Sequence, residues 1–79
     1  MWIRSQNKCV LVKSDCFSLE TEYDVSNNDS IIEIFANRKP VGTYSTIEKA
    51  LLVLDMIEKV AMYPGNTLFQ MPDDDEVEV

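Results

Sequence analysis

Alternation of apolar and polar positions is cleanest over residues 17–25. Phe17, Leu19, Thr21, Tyr23 and Val25 fall on one face, and Ser18, Glu20, Glu22 and Asp24 on the other. A period of two belongs to a strand half buried on a core, so this segment is predicted to be a strand with an acidic outer face. Upstream, residues 1–5, apolar at Trp2 and Ile3, and the apolar run Cys9-Val10-Leu11-Val12 flank the polar Gln6-Asn7-Lys8. That order predicts a first hairpin, with Trp2 as a core anchor. Downstream, Ser26-Asn27-Asn28-Asp29 is dense in side chains that bond their own backbone and predicts a reversal. A strand over 31–36 follows, then a turn at Asn37-Arg38-Lys39-Pro40. Val41, Thr43 and Tyr44 then pair back antiparallel, with Gly42 permitting a bulge or a close backbone approach.

The period then changes from two to 3.6. Ser45-Thr46-Ile47-Glu48 matches a capping box, which makes Ser45 the expected N-cap. Good helix formers continue without Gly or Pro to about Met62, and Pro64-Gly65 stops the helix. At about 100° per residue, Ile47, Ala50, Leu51, Leu54, Ile57 and Ala61 form the expected core stripe. Val53, Val60, Met56 and Leu52 widen the apolar arc beyond the stripe that one small sheet requires. The excess predicts a second covered surface, supplied by the C-terminal segment around Leu68-Phe69 folding back, by self-association, or by another protein. Residues 67–71 read as a last short strand.

These elements predict an α+β fold: an antiparallel meander sheet of about four or five strands packed on one C-terminal helix. A small barrel-like sheet with a capping helix is the second reading. A chain of 79 residues holds one core, so residues 1–71 are expected to form a single domain. The remainder, Pro72 followed by DDDEVEV, reads as an acidic disordered tail over 72–79.

Charge narrows the partners. The net charge is −7, with 14 acids against 7 bases. Such a balance disfavours direct nucleic-acid binding, which needs Lys and Arg at phosphates, and it disfavours anionic membranes. The apolar run 50–54 is far short of the roughly 20 residues of a membrane-spanning helix. The N-terminal residues lack the apolar core of a secretory signal, so a cytoplasmic location with reduced thiols is expected.

The chain contains no histidine, which removes imidazole bases, Ser–His and Cys–His dyads and the common zinc ligand sets. Cys9 and Cys16 have only Lys8 and Lys13 as neighbouring activators and read as small apolar filler in strands. With two glycines in all, a phosphate-cradling loop cannot be built. No enzyme activity and no cofactor are expected. The residues left as candidate partner contacts are Val53, Met56 and Val60 on the helix and Glu20, Glu22 and Asp24 on the acidic strand face. The acids would compete for a basic protein surface, with carboxylates at alternate positions about 6.6–6.8 Å apart.

MWIRSQ at 1–6 and GTYST-x-EKAL-x-VLDMI at 42–57 resemble a family of small proteins encoded by phages, prophages and mobile elements of Gram-positive bacteria, over roughly the first 60 residues. The resemblance implies no catalytic residues. It implies a small accessory protein acting by stoichiometric binding of a host or phage protein, including inhibition of a nucleic-acid-handling or anti-CRISPR-like defence target. A homodimeric phage accessory protein and a small-ligand or nucleotide sequestering protein are the alternatives. A metal-dependent nuclease using Asp and Glu stands last.

Overall fold

The computed structural model describes residues 1–24, 29–62 and 68–78. The Ser26–Asn28 reversal and the Pro64-Gly65 stop lie outside the described residues, as do the side chains of Asp24 and Asp29. In chain order the elements are β1 (Trp2–Arg4), β2 (Leu11–Lys13), β3 (Phe17–Asp24), β4 (Asp29–Ala36), β5 (Lys39–Tyr44), α1 (Ile47–Ala61), β6 (Leu68–Gln70) and a 3₁₀ turn (Asp74–Glu76). The fold is α+β, with the β3-β4-β5 meander packed against α1 as the alternation predicts. The described strands number six and divide into two three-stranded sheets. The first hairpin does not extend the meander. Instead β1 pairs antiparallel with β2 and parallel with β6, giving the order β2-β1-β6.

Turn chemistry sets the second sheet. Asn37 (φ 51°) and Arg38 (φ 69°) both occupy the left-handed region, as a two-residue hairpin with the right-handed strand twist requires. The β4–β5 register then slips between Ile34–Gly42 and Phe35–Pro40, so Val41 is the extra residue of a bulge. Its carbonyl turns to Gln6, whose backbone N–H donates to it at 2.7 Å. The Gln6 side chain completes the pairing, accepting from Thr43 N–H at 3.0 Å and donating to Thr43 C=O at 3.0 Å. One side-chain amide thus does the work of a peptide unit and closes the β5 edge. The opposite edge of that sheet, β3, has no strand neighbour among the described residues.

The core lies between the two sheets and the helix. Ile3, Val12 and Phe69 come from the first sheet and Ile32, Ile34, Ala36, Val41 and Tyr44 from the second. Ala50, Val53 and Ile57 come from α1, and Met71 and Val77 from the C-terminal segment. No helix among the described residues is long and apolar enough to cross a membrane.

Three expectations are corrected here. The N-cap is Thr46, extended at φ −135°, ψ 155°, whose hydroxyl accepts from Lys49 N–H. Ser45 cannot serve, because its N–H (2.8 Å) and hydroxyl (3.2 Å) both donate to the Asp74 carboxylate. The buried face of α1 is Ala50, Val53 and Ile57, whereas Ile47 and Leu51 are exposed. Narrow Ala50 and Val53 let the helix lie close on β4 and β5, turning the bulkier flank outward. Finally, residues 72–78 are not a free tail. Tyr44 Oη donates to Pro72 C=O at 2.7 Å, Lys49 Nζ donates to Asp74 C=O at 3.0 Å, and Val77 is buried. The acids of this segment cap its own 3₁₀ turn, with Glu76 accepting from Asp73 N–H at 3.0 Å.

Candidate functional site

Strands of three residues point one side chain inward and two outward. In Trp2-Ile3-Arg4, Leu11-Val12-Lys13 and Leu68-Phe69-Gln70 the central residue is the buried one. Register does the rest: Trp2 stands between Lys13 and Leu68, and Arg4 between Leu11 and Gln70. The outer face of the first sheet therefore gathers exposed Trp2, Leu11 and Leu68, which are 41%, 57% and 56% exposed, with Val10 beside them at 37%. Trp2, expected in the core, is displaced from it because Ile3 takes the single inward position of β1.

The β1–β2 loop holds the rim of this face rigidly. Buried Ser5 exchanges backbone bonds with Val10 and Lys8, and its hydroxyl accepts from Val10 N–H at 3.0 Å. Asn7 Oδ1 accepts from the Ser5 hydroxyl (2.6 Å) and from Cys9 N–H (3.0 Å). Lys8 is held at φ 67°, a conformation that a non-glycine residue adopts at the expense of about 1 kcal/mol or more. Arg4 Nε donates to Lys8 C=O at 3.2 Å, which fixes the guanidinium beside the loop. The result is a concavity of about 400 Å³ lined by Trp2, Arg4, Lys8, Cys9, Val10, Leu11 and Leu68. Arg4, Lys8 and Lys13 form no ion pair among the described residues. A chain of net charge −7 thus presents one face whose charged groups are all cationic.

Cys9 and Cys16, expected as strand filler, are exposed thiols outside the strands. Cys16 closes a turn in which its N–H donates to buried Ser14 Oγ at 3.1 Å and its C=O accepts from that hydroxyl at 2.8 Å.

The sequence-derived contacts separate. Val53 is sealed in the core and Val60 is half buried against it, so neither presents a docking surface. Met56 opens to solvent beside Leu52 and Met62 in a shallow depression of about 300 Å³. Glu20 and Glu22 are exposed on the outer face of the second sheet, the side away from α1, where Glu20 stands directly opposite Glu33. Asp24 is placed by its backbone at the end of β3, paired with Asp29. Helix and acids therefore belong to opposite sides of one sheet.

Trp2, Leu11 and Leu68 were legible only as members of apolar runs, and Arg4 was not singled out at all. The usable signal was strand length: in a strand as short as Trp2-Ile3-Arg4 one residue is buried, and alternation exposes its neighbours.

Comparison with family models, characterised proteins and solved structures found no match to this chain.

Proposed function

We propose that this protein is a non-enzymatic binding protein, a phage-type accessory protein in the sense of the resemblance noted above, which occupies a surface of a host or phage protein one to one. The outer face of the first sheet is its principal contact. The observation that carries this reading is the exposed Trp2–Val10–Leu11–Leu68 cluster around a concavity walled by Arg4 and Lys8. Contiguous apolar exposure rimmed by charge is characteristic of interaction sites. Trp and Arg are the residues that most often dominate binding energy.

The charge of the rim selects an acidic, apolar partner segment. Pairing this face with itself in a symmetric dimer would bring Arg4, Lys8 and Lys13 against their own copies, which like charges oppose. A phosphate backbone would meet few cations here and a strongly negative remainder. In this role inhibition of a nucleic-acid-handling or defence protein requires only that the occupied surface be one the target needs.

Trp2 is the single tryptophan, so its fluorescence reports on the face directly. An acidic peptide alternating aspartate with leucine and phenylalanine is expected to shift Trp2 emission to shorter wavelength, with affinity falling as salt is raised. Val10→Ala with Leu11→Ala, which keeps the fluorophore, is expected to weaken binding about tenfold or more. Arg4→Glu is expected to abolish the shift. Equal response to the lysine version of the peptide, or no response to either, sinks the proposal.

A further inference from the structure

We infer a second contact, independent of the first-sheet face: the open edge of β3 accepts an extended basic segment of another protein as an added strand. The two edges of the second sheet are treated differently. Gln6 closes the β5 edge with three hydrogen bonds, from its backbone to Val41 and from its side-chain amide to Thr43. The β3 edge runs for eight residues, Phe17–Asp24, with no strand beside it among the described residues. An edge of that length is a template for main-chain pairing unless something blocks it.

Side chains on its two faces specify the occupant. On the inner face α1 packs on β4 and β5, leaving Phe17 and Leu19 half buried. An added strand would cover the remainder with its own apolar positions. On the outer face Glu20, Glu22 and Glu33 have no cationic partner among the described residues. Glu20 and Glu33 are a directly opposed like-charge pair, which destabilises a sheet and is relieved when a cation is placed beside it. The complementary occupant alternates apolar residues with Lys or Arg. A second copy is excluded as occupant by the same arithmetic of faces. Antiparallel β3–β3 pairing that keeps inner faces together sets residues of like parity opposite each other. Centring the pair on Thr21, for example, lays Glu20 against Glu22 of the second copy and Glu22 against Glu20. The acids therefore block self-pairing and admit a basic strand.

The test uses two synthetic octapeptides, one alternating lysine with valine and one alternating glutamate with valine, titrated into isotope-labelled full chain. The lysine peptide is expected to slow hydrogen exchange of outward β3 amides and to leave Trp2 emission unchanged. In the Glu20→Lys/Glu22→Lys variant its affinity should fall about tenfold or more, with the glutamate peptide gaining correspondingly. Both substitutions face solvent and relieve the Glu20–Glu33 opposition, so the variant should retain its circular dichroism. A lysine peptide N-methylated at every residue is expected not to bind, since neither edge of its backbone can then donate. The inference is overturned if neither peptide protects β3, if both bind alike, if charge exchange leaves the preference unchanged, or if the protected amides lie in β2 or β6.

Discussion

At Gly42 an added methyl group would meet the Met71 methyl, Tyr44 Cε2 and Tyr44 Oη, each at 3.3 Å. Met71 ends in a flexible side chain and can yield. Tyr44 cannot, because its hydroxyl is tied to Pro72 C=O and its ring is buried. Gly42→Ala is therefore expected to destabilise by about 1–3 kcal/mol through overpacking. At this size that lowers the thermal midpoint by about 4–8 °C per kcal/mol. In a Tyr44→Phe background the added methyl should be less damaging, since the anchored hydroxyl is gone; equal losses in both backgrounds would place the strain elsewhere. Asp74 makes a pH prediction. Bonds from Ser45 N–H and hydroxyl, together with Lys49, hold its carboxyl below the ordinary aspartate value. A depressed acid stabilises the fold above its unfolded value of about 3.9, and that contribution is lost as pH falls through the native value. Acid melting curves of wild type and Asp74→Asn should differ above about pH 4 and begin to converge only as pH falls below it; parallel curves would refute the assignment.

Among the elements, those with long regular periods were readable in the chain. The alternation of β3 and the Asn37-Arg38 turn specify the meander, and the Gly- and Pro-free run specifies α1. What was not readable depends on partners distant in sequence. The S-x-x-E pattern nominates Ser45 as cap, but Asp74 takes Ser45 and the role moves to Thr46. The helix face is set by which side the two sheets and the C-terminal segment cover, so Val53 became core and Leu51 did not. The acid run 73–76 looks solvated by composition, and the burial of Val77 between acids leaves no periodic trace. From that segment comes a prediction about length. Removing residues 72–79 uncovers core around Val77 and takes the acceptor from the Tyr44 hydroxyl. The two losses are of order 1.5–3 and 1–3 kcal/mol. The truncated chain is expected to melt at least 10 °C lower or to fail to fold, as calorimetry would show; an unchanged midpoint would mean the segment is dispensable.

For the molecule as a whole, two sheets meet through one core and turn unlike surfaces outward: the first apolar with cations, the second acidic. The candidate contacts that composition suggested, helix and acids together, are thus distributed differently, and the strongest apolar exposure lies on strands too short to announce which way their side chains point. The parallel pairing of β1 with β6 has a temporal consequence. As the chain leaves a ribosome, β3, β4 and β5 become available in succession and can zip through local turns. The first strand must wait, its central position in the β2-β1-β6 order unfilled on one side until Leu68–Gln70 emerges. Closing so long a loop before any contact rewards it slows that last step. Nascent and prematurely terminated chains consequently lack the assembled Trp2–Leu68 row. On the function proposed above, competence to engage a partner arrives only after Leu68–Gln70 has been made and paired.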